Sequence, residues 1–290
     1  MSTGAGRFIL VTGASTGIGR ASVLALLAEG FHVFAAVREQ RAAAALKQDA
    51  PPGTADRLET LELDVTNPGQ IEAAAARVGS IVGDRGLWGL FNNAGITVNG
   101  PLECVPIGDL RRQLEVNVIG QVAVTQAFLP LLRKARGRIL TTGSISGFFT
   151  SPALGAYSMS KHAVEAFSDG LRRELRPWGI EVSLLQPGPV ATEIWRKGTT
   201  AIDAIMREPT PGMLEHYAGL IESMRRLAEQ SSRSAAPTEV VTRDVVHAFT
   251  ASRPRTRYLM GTGATGRKWV DRLPDRWVDS IVARVTGWGR

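Results

Sequence analysis

The chain reads as an α/β protein built on a doubly wound parallel sheet of about seven strands, with helices on both faces. Three observations predict this. Short apolar runs alternate with longer amphipathic stretches along most of the 290 residues. The connections between them are short, as right-handed crossovers between parallel strands require. The first apolar run passes through a glycine-rich loop straight into a helical pattern, RFILVTGASTGIGRASVLALLAEG.

In chain order, residues 7–12 read as a buried strand and the segment ending at Gly30 as a helix closed by glycine. Gly13, Ser15, Thr16, Gly17, Ile18 and Gly19 form the loop between them. A glycine loop opening a helix is an anion site, because backbone N–H groups and the helix dipole converge on a phosphate. A second strand, 31–37, ends at Arg38, nineteen positions past Gly19. An acidic residue at that distance would hold ribose hydroxyls. A guanidinium there suits a 2′-phosphate instead, which favours NADP over NAD. Glu39 is adjacent and the loop adds no second positive charge.

A third strand over 58–65 ends in Asp64 and Val65, where the carboxylate could accept from an adenine amino group. After a helix over 68–82, a strand over 87–91 runs into Asn92, Asn93, Ala94 and Gly95, residue types that suit a tight strand-end loop. A long helical pattern begins at Asp109 and carries Asn117 among apolar neighbours. A polar group there needs its hydrogen bonds met. It holds either a kink, with Gly120 allowing the bend, or a water. Strand 138–142 delivers Ser144, and strand 180–185 delivers Pro187, Gly188, Val190 and Thr192, a rigid loop with few backbone donors. All these candidate groups fall at the carboxyl ends of strands, where ligands gather in such sheets.

Tyr157 and Lys161 stand four apart on a helical pattern, so they share a face. A phenol titrates near pH ~10, and a neighbouring ammonium is expected to lower that value towards the operating range. Ser144 lies thirteen positions upstream.

Composition narrows the classes. Hydrophobic content of 44% and charged content of 21% are ordinary for a globular chain. One cysteine excludes an intrachain disulfide, and four histidines show no metal-ligand spacing. The net charge of +7 suits anionic ligands, but no nucleic-acid-binding module is present. No signal peptide and no uninterrupted apolar window of membrane length occur, so the expectation is a cytoplasmic protein. We expect a single domain over 1–290.

Together TGASTGIG, NNAG, Asn117, Ser144, YSMSK and PGPVAT resemble, in order and spacing over about residues 7–195, the short-chain dehydrogenase/reductase family. The stretches LWGLFNNAGI and FLPLLRKARGRI look most like its retinol, 17β-hydroxysteroid and hydroxybutyrate dehydrogenase branch. The resemblance implies a Rossmann-type fold and hydride transfer between NADP or NAD and a secondary alcohol or ketone. By resemblance Tyr157 is the general acid/base and Lys161 lowers its pKa and binds the nicotinamide ribose. Ser144 would hold the carbonyl oxygen, and Asn117 would anchor a water linking Lys161 to solvent. A homodimer or homotetramer is implied, with helices near 107–134 and 157–176 as its face.

Residues 193–236 break the alternation, and the resemblance implies a substrate lid there, with a helix over about 211–230 whose Met213, Leu214, Tyr217, Leu220, Ile221 and Met224 read as core or, where they face the site, as the lining for a bulky apolar substrate. The alternatives are a small polar substrate with NAD, or a sensor that binds nucleotide without turnover. The tail over 266–290 places Trp269, Leu273, Trp277, Ile281 and Val285 at four-residue steps with basic residues between. Such a helix packs on its own domain or a partner subunit, or lies on a membrane.

Overall fold

The computed structural model describes residues 4–190, 213–233, 235–261 and 263–289. Seven parallel strands form one sheet in the order β3-β2-β1-β4-β5-β6-β7. They are β1 Phe8–Val11, β2 His32–Val37, β3 Leu58–Glu62, β4 Gly89–Asn92, β5 Arg138–Thr142, β6 Glu181–Pro187 and β7 Arg257–Met260. The strand order reverses between β1 and β4, the switch point at which doubly wound sheets open a crevice.

The helices named here are α1 Gly17–Ala28, α2 Gln40–Gln48, α3 Pro68–Val82, α4 Ile107–Leu114, α5 Gly120–Ala135 and α6 Gly155–Glu174. The later helices are α7 Met213–Arg233, α8 Thr238–Thr250, α9 Ala264–Val270 and α10 Asp275–Thr286. All four residues of β1 are buried, as expected of a central parallel strand. Its alternate side chains serve two cores. Ile9 and Val11 join Val23, Leu27, Val245 and Phe249 on one face, while Phe8 and Leu10 join Val78, Val124, Phe128 and Leu132 on the other.

Three expectations are corrected. The third strand ends at Glu62, so Asp64 and Val65 lie in the following loop, although Leu63 still donates to the Val37 carbonyl at 2.9 Å. Asn117 sits in a π-helical turn over Glu115–Ile119 between α4 and α5, and Gly120 is not a hinge. Gly120 is helical; a Cβ there would stand 2.8 Å from the Val65 carbonyl oxygen, so glycine permits close packing onto the loop after β3. The tail is two helices, interrupted before Pro274, because proline cannot continue a preceding helix.

The run Ile107–Ala135 is long and apolar enough to cross a bilayer. In the fold its Val124, Phe128 and Leu132 instead fill the sheet's core.

Candidate active site

One cleft of about 660 Å³ opens along the carboxyl edge of the sheet. Gly13, Ser15, Thr16, Gly17, Ile18, Arg38, Asp64, Val65, Ala94, Gly95, Ser144, Tyr157, Lys161, Pro187, Gly188 and Val190 all line it. The expected site residues are thus gathered on one surface, with four exceptions. Gly19 is buried beneath the loop and Asn117 is fully buried behind the wall. The Asn92 side chain turns away, donating to Thr125 Oγ1 at 2.8 Å, and does not line the cleft. Thr192 lies outside the described residues.

The glycine loop is shaped by backbone proximity. Gly13 has φ +64°, and a Cβ on it would stand 2.8 Å from Ala94 Cα. A Cβ on Gly19 would stand 2.2 Å from the Gly13 carbonyl oxygen. The side chain of Thr16 does not cap α1, so the first N–H groups of that helix remain open to an anion. Asn93, which sequence reading passed over as a loop residue, braces this corner. Its Nδ2 donates to the carbonyls of Thr12 and Gly13 at 3.1 and 3.2 Å, and its Oδ1 accepts from Thr142 Oγ1 at 3.2 Å. One side chain thereby ties the ends of β1, β4 and β5 together.

At one end of the cleft Arg38 is exposed just past β2 and makes no ion pair among the described residues. The adjacent Glu39 is engaged by Arg41. Asp64 accepts from the Thr66 amide at 2.9 Å and hydroxyl at 2.7 Å. Burial pushes its carboxyl up, but those two bonds and the Arg38 charge together hold it below the usual carboxylate value.

At the centre, Tyr157 and Lys161 lie on α6 beside Ser144, which follows β5. The Ser144 hydroxyl accepts from the Ser146 amide at 3.1 Å, donates to the Pro187 carbonyl at 3.5 Å, and lies near enough to the Tyr157 phenol to act on its titration. Lys161, 3% exposed, reaches past the tyrosine and donates to the Thr142 carbonyl at 2.7 Å. Its ammonium is 5.7 Å from the centre of the Tyr157 ring.

This geometry reverses the expected direction of the tyrosine shift. Burial pushes the phenol up to about 12, with the nearby Ser144 hydroxyl opposing. Burial likewise pulls Lys161 down to about 8. Desolvation disfavours the charged form of each group. The result is a neutral phenol paired with a hydroxyl, which is a donor site for one oxygen acceptor.

Asn117 is fully engaged. Its Oδ1 accepts from the Ile96 amide at 2.8 Å, and its Nδ2 donates to the Ile96 carbonyl at 2.9 Å and Ser160 Oγ at 3.0 Å. Ser160 in turn donates to the Tyr157 carbonyl at 2.7 Å. The asparagine side chain therefore clamps the loop after β4 to α6. In the loop after β6, Gly188 donates to the Met260 carbonyl at 2.8 Å. With prolines at 187 and 189, Val190 carries the one N–H of residues 187–190 not spent on a described partner.

A phosphate-accepting helix end, a ribose-side loop and a hydroxyl pair along one sheet edge define a dinucleotide-dependent oxidoreductase. The chain belongs to the short-chain dehydrogenase family, whose model matches residues 7–203. It is 37% identical over 281 residues to an NADPH-dependent 3-dehydrocapnine reductase of Ornithobacterium rhinotracheale, covering 95% of each chain. It is 40% identical over 266 residues to the 17-beta-hydroxysteroid dehydrogenase type 6 of Bos taurus, covering 89% of this chain and 81% of that one. A short-chain dehydrogenase from Burkholderia cenocepacia, solved in complex with NADP, superposes with a TM-score of 0.71 at 25% identity, over 98% of this chain and 99% of that one. The enzyme is a short-chain dehydrogenase/reductase, and its cofactor class is NAD(P). The uncapped α1 terminus and the close-packed glycines fit the pyrophosphate, and the loops at Arg38 and Asp64 fit the adenosine end.

Proposed function

We propose that the protein reduces an apolar ketone to a secondary alcohol with NADPH. The observation that carries this reading is that Ser144 and Tyr157 line the middle of the cleft together, with the phenol held neutral by burial. The nicotinamide, when bound, supplies the hydride. Ser144 and Tyr157 hold the ketone oxygen, and Tyr157 gives its proton to that oxygen as negative charge develops there. Lys161 orients the site from the end of β5, and the Asn117–Ser160 clamp fixes the first turn of α6 that bears the tyrosine.

NADPH is favoured over NADH because Arg38 is free to pair with a 2′-phosphate while Glu39 is occupied by Arg41. An apolar substrate is favoured by Phe149, Leu154, Met224, Leu227 and Val270 around the far half of the cleft. The large apolar side chains Leu102, Ile107, Ile119 and Met159 are exposed near α4, the π turn and α6, which supports a homo-oligomer.

Fluorescence titration with both cofactors, followed by turnover on a panel of ketones, tests this. The expected result is NADPH bound roughly 10- to 100-fold more tightly than NADH, the range one charge-assisted hydrogen-bond site supplies. Arg38→Ala should bring the two affinities together. Tighter NADH binding by the wild type, or no reduction across the panel, would overturn the reading.

A further inference from the structure

The charges lining the cleft are unevenly placed. Arg38 and Asp64 belong to the adenosine end and Lys161 to the centre. The remaining half contains Arg112, from α4, and Arg267, from α9, with no carboxylate among its described lining residues. Arg112 is exposed at the rim. Arg267 is half-buried, beside Val270 and Ile281 of the tail.

The Arg267 guanidinium has no hydrogen-bond or ion-pair partner among the described residues, and burial alone lowers its pKa, with no acidic group acting on it. A buried or half-buried cation is ordinarily paired or reaches out to water. This one faces a cleft. Its helix follows β7 and packs on Ile145–Gly147, the turn directly after Ser144. The glycine loop caps β1, which is separated from β5 by β4, so two strand spacings, roughly 10 Å, lie between the two regions. The cofactor's phosphates therefore have their own seat, and Arg267 is left for the other ligand.

We propose that the substrate is an amphiphile whose oxyanion, a carboxylate, phosphate or sulfonate, seats on Arg267 while its apolar chain fills the cleft and its ketone meets Ser144 and Tyr157. This rests on the reading of the cleft as a ketone reductase site and names the substrate class for it. Arg112 adds positive potential at the rim and guides the anion inward.

The test is equilibrium binding by calorimetry of decanoate and of decan-1-ol to the full chain saturated with NADPH. The wild type should bind decanoate at least about tenfold more tightly, the effect of one partly desolvated charge pair. Arg267→Gln should bring decanoate down to the affinity of the alcohol, whereas Arg267→Lys should retain part of the preference. NADPH affinity, measured on the same samples, should not change and also reports that each variant is folded. Equal binding of the two ligands by the wild type, or a preference that survives Arg267→Gln, would overturn the proposal. So would a matching loss of NADPH affinity, which would assign Arg267 to the cofactor. Because binding is read rather than turnover, an enzyme that reduces ketones without preferring decanoate loses the anion site but keeps its reductase reading. A chain that prefers decanoate through Arg267 but reduces no ketone loses the reductase reading.

Discussion

The two halves of the cleft are built by different means. The cofactor half is made of strand ends and the loops directly attached to them, locked by backbone contacts such as Gly19 against Gly13 and by the Asn93 bridge across three strands. The substrate half is made of helices laid over the sheet's edge, α7, α9 and α10, which meet it through side chains. The ring centre of Trp288, just beyond α10, lies 6.2 Å from that of Tyr217 in α7, and Trp269 and Trp277 stay 63% and 65% exposed. The difference teaches that cofactor chemistry is fixed by the sheet, whereas specificity is carried by a layer that can be exchanged without disturbing it.

The sharpest way to break the first half alone is Gly19→Ala. A methyl group 2.2 Å from a backbone carbonyl cannot be accommodated by moving a side chain, so the loop itself must shift. Overpacking of this kind costs about 1–3 kcal/mol. We expect NADPH affinity to fall by roughly ten- to a hundredfold in a fluorescence titration, while decanoate binding through Arg267 changes little.

Lys161→Met probes the joint between the halves and has a smaller effect on stability. Lys161 is pulled down to about 8 from 10.5, so below pH 8 the folded protein must carry a buried charge that the unfolded chain carries in water. Between pH 8 and 10.5 the unfolded state binds more protons, and wild-type stability from this group rises with pH. Below pH 8 the variant should therefore be more stable by about 1–2 kcal/mol, after loss of the Thr142 hydrogen bond is offset against the removed charge. That advantage should disappear as pH rises to 10.5. Thermal melts of both proteins at pH 7 and pH 10 check the sign.

Much of this was legible in the chain because strand ends are marked locally. The glycines, Arg38, Ser144 and the Tyr157–Lys161 spacing each announce a place along the sheet edge. What was not legible depends on tertiary contact. Asn92 and Asn93 are adjacent and chemically identical, and only the pleat of β4 sends the first into the core and the second to the cleft. Gly120 looks like a hinge until Val65 is placed against it. The break at Pro274 was visible, but the four-residue spacing of apolar side chains across it suggested one continuous helix. Neighbourhood on a helix also predicted a lowered tyrosine pKa, whereas burial sets it. Arg267 was visible only as one of several basic residues in the tail, since nothing local says which of them turns inward.

The most direct test of the central claim, that one neutral phenol donates the proton for hydride transfer in this cleft, is NADPH consumption with an apolar ketone by wild type and Tyr157→Phe. The expected result is a fall in kcat of about 10²- to 10⁴-fold with NADPH affinity retained, as removal of a general acid gives. Full turnover by the phenylalanine variant would contradict it.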